Sequence, residues 1–148
     1  MASTEARAAP RPLTPADLDA ALRLSVAAQW NQNLDDWSMM LRLGRGWGID
    51  AGESPAQSGP LAASVIVLPY GERFAWLSMV LVHPDHRRRG HAQTLLSHAL
   101  AHLAAQGRGA VLDATPAGHA VYVQQGFADT WGFARYQREA DAPPPDAA

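Results

Sequence analysis

The fold is decided by residues 79–96, Met79-Val80-Leu81-Val82-His83-Pro84-Asp85-His86-Arg87-Arg88-Arg89-Gly90-His91-Ala92-Gln93-Thr94-Leu95-Leu96. The run from Met79 to Val82 is apolar and strand-like. Pro84 cannot donate to a sheet ladder, so pairing should end near it. His86 to Gly90 form a basic turn. From Ala92 onward the apolar positions are Ala92, Leu95, Leu96, Ala99, Leu100 and Leu103, the spacing of one helix face. A helix start leaves backbone N–H groups without partners and carries partial positive charge. Gly90 lets a ligand come close to the backbone, and Ala92 is nearly as permissive. Arg87, Arg88 and Arg89 add three charges beside that end. Together these features suit an anion such as a diphosphate. The plainer alternative is a surface turn with solvated arginines.

Working outward, Phe74 to Val82 alternates with a period of two. That predicts Trp76, Ser78, Val80 and Val82 on one face and Leu77, Met79 and Leu81 on the other. With both faces largely apolar, the strand should be central and covered on both sides. Leu61–Leu68 and Gly46–Asp50 read as its upstream neighbours. The Gly-, Ser- and Pro-containing stretch 51–60 reads as a mobile loop. Further upstream, Arg11-Pro12-Leu13 suggests a short first strand. Thr14-Pro15-Ala16-Asp17 reads as a helix start, and the helix should run to about Gln29. A second helix is expected over Leu34–Leu41. Trp30, Asn31, Gln32 and Trp37 are candidates for lining a substrate pocket. The alternative, which the residue type favours, is that both tryptophans pack in the core.

Downstream, Gly107 and Gly109 should stop the helix that begins at Ala92. Ala110–Ala114 reads as a short strand, and Thr115-Pro116 as the start of a helix over Ala117–Gln125. Alternation from Phe127 to Arg138 predicts a last strand. Residues 1–10 and 141–148, the latter with three consecutive prolines, read as disordered tails. A single domain is expected over 11–140. Late alternation of strands and helices requires crossovers, so the expected fold is α/β, with a mixed central sheet flanked by helices.

Composition narrows the function. A net charge of −2 gives no basic field, which argues against nucleic-acid binding. With 0 cysteines, a disulfide framework, a thiolate zinc site and a cysteine nucleophile are all excluded. The N-terminus lacks an apolar h-region and no apolar run reaches membrane-span length, so a soluble cytoplasmic protein without membrane association is expected. His98 and His102 lie four apart on the helix, which is ligand spacing, but no third ligand is evident. Solvated histidines are the expectation, and no metal.

Two motifs carry a resemblance. Arg87-x-x-Gly90-x-Ala92, following the Val-x-Pro of Val82 to Pro84, resembles the acetyl-CoA-binding motif of the GNAT acyltransferase superfamily. Thr115-x-x-Gly118-x-x-x-Tyr122-x-x-x-Gly126-Phe127 resembles the same family's second signature, with Thr115 where asparagine is usual. The resemblance implies a sheet splayed between the strand ending at Val82 and the strand ending near Asp113, with acetyl-CoA in the splay. It implies that backbone groups of Val80, Leu81 and Val82 pair with the pantetheine. It also implies that the N–H groups of Arg88, Arg89, Gly90, His91, Ala92 and Gln93 hold the diphosphate, with Arg87 and Thr115 close by and Tyr122 beside the sulfur.

The implied activity is direct acetyl transfer to a primary amine of a small molecule or peptide. Aminolysis of a thioester needs a neutral amine, a stabilised oxyanion and a proton for the leaving thiolate. A phenol suits the last task, which makes Tyr122 the candidate general acid. A strand N–H near Val80 is a candidate for the oxyanion. Many family members carry a glutamate on the strand before the first motif, and this chain does not. Asp113 is the nearest candidate base, although it could instead cap the next helix. Ser78 could hold a water that carries the proton away, and Trp76 could touch the acceptor. The missing carboxylate also leaves open a non-catalytic acyl-CoA-binding sensor or interaction module. GNAT domains usually end in a hairpin, whereas here only the expected strand Phe127–Arg138 follows before the proline-rich stretch. An exposed sheet edge, covered in a homodimer, is therefore expected.

Overall fold

The computed structural model describes residues 8–52 and 59–136. Most of the expected loop at 51–60 and of both expected tails lies outside these residues. Five strands form one mixed sheet in the spatial order β1-β2-β3-β4-β5. They are β1 (Arg11–Pro12), β2 (Arg45–Asp50), β3 (Leu61–Tyr70), β4 (Phe74–Val82) and β5 (Gly109–Val111). The first four pair antiparallel, and β5 runs parallel to β4. A parallel pair needs a crossover, and helix α3 (His91–Ala105) supplies it. Helices α1 (Leu18–Ala27) and α2 (Leu34–Leu43) cover one face of the sheet, and α3 with the short α4 (His119–Gln124) covers the other.

Local chemistry sets the start of each N-terminal helix. A single 3-10 turn, Pro15–Asp17, precedes α1, and the Thr14 N–H donates to the Asp17 carboxylate at 2.8 Å. Asp17 is buried and meets the Arg11 guanidinium at 2.8 Å. Arg11 also reaches Asp50 at 2.8 Å, and the two carboxylates hold its pKa above the ordinary value. One arginine thus ties the first strand to the α1 start and to the far end of β2. For α2, the Asn33 side chain accepts from the Asp36 N–H and the Asp36 carboxylate accepts from the Asn33 N–H, both at 2.9 Å. This reciprocal cap makes Asn33 the start signal of α2.

The core has two layers. Val65, Val67, Ala75, Leu77, Leu95 and Leu103 pack on the α3 face. Leu24, Trp37, Met40, Ile66, Met79 and Leu81 pack on the α1/α2 face. This distribution corrects the expected alternation of β4. Ile66 pairs with Ser78 and Ser64 with Leu81, so β4 carries one extra residue against β3. The bulge centres on Met79, whose φ is +51°. It leaves Ser78 and Met79 on the same face, toward α2, and turns Val80 and Val82 onto the α3 face with Leu77. A carbonyl displaced by a bulge needs a new partner, and the buried Ser64 hydroxyl donates to Met79 O at 2.7 Å.

The expected last strand is absent: residues 127–136 form no strand, and 137–138 fall outside the described residues. Trp131, Phe133 and Tyr136 are 71%, 58% and 91% exposed, so the alternation there does not pack. The outer edge of β5 is uncovered among the described residues, beside a hollow of about 290 Å³ lined by Leu100, Ala110, Phe127 and Ala128. The described part of the chain has no helix long and apolar enough to cross a membrane.

Candidate active site

The central feature is where β4 and β5 part. Phe74, Ala75 and Trp76 pair with Gly109, Ala110 and Val111, and pairing stops there. From Leu77 to Val82 the β5-facing edge of β4 has no ladder partner among the described residues. At about 3.3 Å per residue this leaves roughly 20 Å of strand edge able to take a further extended chain. Val80 and Val82 are half-buried along it on the α3 face, with Leu112, Tyr122 and Phe127 near the same cluster.

The basic turn closes the open end of this cleft. A short 3-10 turn, Pro84–His86, leads out of β4. Arg88 and Gly90 then adopt left-handed conformations, with φ of +63° and +75°. Gly90 takes this at no steric cost, whereas Arg88 must be held there. Gly90 O accepts the first helical bond, from the Thr94 N–H at 3.0 Å. The N–H groups of His91, Ala92 and Gln93 therefore precede the first intrahelical donor. Among the described residues no backbone carbonyl takes the N–H groups of Arg88, Arg89 or Gly90. A left-handed residue next to a right-handed one, as Gly90 is to His91 at the start of α3, turns successive N–H groups toward one side, the geometry of an anion-binding nest. The arginine side chains are exposed, and Arg89 leans on the His86 ring at 3.3 Å. His91 is half-buried, and burial together with His86 and Arg89 lowers its pKa.

Tyr122 sits on α4, half-buried against the α3-side core. Burial raises its pKa above the ordinary 10.0, so the phenol holds its proton at neutral pH. Phe127 packs edge-on against its ring at 6.0 Å. Gly118 makes room for that ring: a Cβ there would lie 3.1 Å from Tyr122 Cε2. Gln93 donates to Gln124 at 3.3 Å, and the Ser97 hydroxyl to Gln125 at 3.4 Å, which ties α4 to the start of α3.

The remaining candidates fall in different places. Thr115 is exposed, and its hydroxyl accepts from the Gly118 N–H at 3.2 Å. It holds the turn into α4, which starts at His119 rather than at Ala117. Asp113 is exposed two residues beyond β5, with no hydrogen-bond partner among the described residues. Ser78 is half-buried on the α2 face, with its hydroxyl 3.9 Å from the Met40 sulfur. Trp76 is half-buried at the last β4–β5 rung.

Trp37 is a correction: it is fully buried, and its indole N–H donates to the Ser25 hydroxyl at 2.7 Å. It belongs to the α1–α2 core and cannot line an open pocket. Trp30 does the opposite and is 39% exposed, with Asn31 exposed beside it. Gln32 is half-buried, and its Oε1 has no partner among the described residues. His98 and His102 both pack edge-on against Trp47, at 5.0 and 4.9 Å; His98 is exposed, as expected, and His102 is half-buried. Among the described residues no cluster of three metal-ligating side chains occurs.

A mixed sheet that parts beside the unpaired N–H groups of a helix start has a shape suited to an extended, anionic molecule. The family model described as the acetyltransferase (GNAT) family matches residues 23–127. The chain belongs to this family, and it is an acyltransferase by class. Solved structures agree on the fold. An acetyltransferase of Trypanosoma brucei superposes with a TM-score of 0.69 at 18% identity, covering 87% of this chain and 98% of that one. A GCN5-related N-acetyltransferase of Ralstonia eutropha gives 0.61 at 21% identity, covering 86% and 97%. The glucosamine-6-phosphate N-acetyltransferase of Arabidopsis thaliana gives 0.65 at 14% identity, covering 89% and 97%. No sequence among curated proteins matches the chain.

Proposed function

We propose that the protein transfers an acetyl group from acetyl-CoA directly to a primary amine. The observation that carries this is the parting of β4 from β5 beyond the Trp76–Val111 rung, with the protonated Tyr122 phenol beside it. The free edge at Val80, Leu81 and Val82 takes the pantetheine amides, and the nest from Arg88 to Gln93 takes the diphosphate. Arg87, beside the nest, adds charge rather than shape. Bound acetyl-CoA supplies an activated acyl carbon and a thiolate leaving group. Unpaired strand N–H groups near the Met79 bulge stabilise the negative charge that develops on the acyl oxygen. The neutral amine nitrogen forms the new C–N bond as the C–S bond breaks. Tyr122 gives its proton to the departing sulfur and recovers one from solvent. The proton lost by the amine leaves through water held near Ser78 or through Asp113.

Tyr122→Phe tests the acid. Turnover in a thiol-release assay should fall about 10-fold to 1,000-fold while CoA affinity stays within a few-fold. Unchanged turnover removes Tyr122 from the mechanism. Gly90→Glu tests the nest: bulk, charge and loss of the left-handed residue should abolish CoA binding in calorimetry, and retained affinity rejects the nest.

A second reading is an acyl-CoA sensor without catalysis. It is favoured by the lack of a carboxylate on β4, while Asp113, beyond β5, stands exposed and unpartnered among the described residues. Thiol release with any amine of a broad panel rejects the sensor. The uncovered β5 edge supports pairing with a second copy, and a monomeric mass by light scattering at micromolar concentration would reject that.

A further inference from the structure

We propose that Tyr70, Phe74 and Trp76 form the wall against which the acceptor lies, and that the acceptor is a primary amine carrying an aromatic ring. The inference rests on the acetyl transfer proposed above and adds a substrate class to it.

The three rings form one patch on the β3–β4 hairpin. Tyr70 and Phe74 are directly opposite across the strands, and their rings are near-parallel with centroids 6.2 Å apart. Trp76, one rung further in and paired with Leu68, meets the Tyr70 ring edge-on at 6.1 Å. Tyr70 is 55% exposed and Phe74 40%, so their faces are open to solvent. The patch lies on the α1/α2 face, because Ile66 and Ser78 on the next rung point toward that layer. Helix α2 covers Ser78 with Met40 but stops at Leu43, and Gly44 already sits against Leu68. Beyond that point nothing among the described residues covers Tyr70 and Phe74.

Trp76 places this patch beside the chemistry. It is on the last rung that joins β4 to β5, so its ring stands at the vertex of the cleft. The other face of the vertex is closed, with Val80, Val82, Leu112 and Tyr122 packed against the α3-side core. With the acid on that face, an incoming amine approaches from the α1/α2 face, where the aromatic wall begins.

The chemistry of the wall selects its occupant. The side chains of β3 and β4 that face this way near the vertex are Leu68, Tyr70, Phe74, Trp76 and Ser78, without a carboxylate or a cation. The charged groups nearby, Glu72 and Arg73 in the hairpin turn and Asp113 beyond β5, are all exposed, so the wall itself offers neither a polyamine nor a sugar phosphate a buried counter-charge. Unpaired charge brought to such a surface is unfavourable. A flat ring gains both buried area and the edge-to-face or offset geometry that aromatic pairs prefer, worth about threefold to tenfold in affinity per contact.

Calorimetry on the CoA-loaded protein tests this with 2-phenylethylamine, hexylamine and spermidine. 2-Phenylethylamine should bind about fivefold or more tighter than either of the others. Tyr70→Ala changes an exposed side chain, so folding is not at stake. It should weaken 2-phenylethylamine about threefold to tenfold, leave hexylamine nearly unchanged and leave CoA affinity unchanged. Equal or tighter binding of hexylamine or spermidine overturns the wall. So does an unaffected Tyr70→Ala variant, or binding of none of the three amines. The two proposals fail separately. Binding of 2-phenylethylamine with no thiol release from any amine rejects acetyl transfer and leaves the wall standing. Thiol release with hexylamine or spermidine, but not with 2-phenylethylamine, keeps acetyl transfer and rejects the wall.

Discussion

The chain up to Leu103 and the chain after it are built differently. Every described residue that is buried belongs to the first part, and none of residues 104–136 is. The first part has two packed layers, reciprocal helix caps and a buried ion-pair cluster. The second has a three-residue strand, a six-residue helix and an extended run of exposed aromatics. Yet the proposed site draws on both: the anion nest opens α3, and Tyr122 lies on α4. The difference teaches that the proposed cofactor cradle is set by the scaffold, whereas the proposed acid is carried on an element of low intrinsic stability. Regions with few buried contacts open locally at small cost.

The sharpest way to break the first part is at Asp17. Its carboxylate is buried against Arg11 and accepts from the Thr14 N–H. Asp17→Ala would leave the Arg11 charge half its partners and the Thr14 N–H unmatched. A loss of about 3 kcal/mol or more in urea unfolding is expected, as for removal of one partner of a buried pair. A loss under about 0.5 kcal/mol would mean that Asp50 alone anchors Arg11.

A change in the second part should act locally. Phe127 is half-buried, with its ring against Tyr122. Phe127→Ala should cost only about 1 kcal/mol globally, because little of the core depends on it. Turnover should fall further than that figure implies, since the ring that positions Tyr122 is lost. In native-state hydrogen exchange, amides from Val121 to Gln125 should exchange much faster than those from Leu95 to Leu103, and CoA should slow them selectively. Equal protection of the two helices would erase the contrast.

The same contrast runs through what the sequence revealed. Strand β4 and helix α3 were legible because their periodicity reports burial, and burial is what holds them. The turn into α3 was legible because a proline, a glycine and a helix start are local chemistry. The Met79 bulge left no local trace. No glycine marks it, and its positive φ is held from another strand by the Ser64 hydroxyl. The alternation after Phe127 misled because period two shows only that a segment suits a sheet, and a strand also needs a neighbour. Trp37 was ambiguous for a different reason. An indole suits a pocket or a core equally, and only its bond to Ser25 decides. Met40 over Ser78, and Gly118 beneath the Tyr122 ring, are tertiary contacts of the same unreadable kind.

The smallest expected effect is a pH dependence seated in the packed part. His102 rests against Trp47, and its pKa is lowered from 6.5 first by burial, then by Arg45, His98 and Arg108. The folded state therefore disfavours the imidazolium. As pH falls through 6.5 the unfolded chain takes up a proton that the folded chain resists, so stability declines. The contribution is fully present above 6.5 and is lost as pH falls through the depressed folded value. Between about pH 8 and about pH 5.5, where carboxylates remain ionised, the melting temperature should drop. His102→Gln keeps a planar polar group on Trp47 without a titrating proton, and should make that drop smaller. It should not remove it, because His91, also depressed by burial, titrates in the same direction. A variant whose melting temperature falls as steeply as that of the native chain would place the pH sensitivity outside the Trp47 cluster.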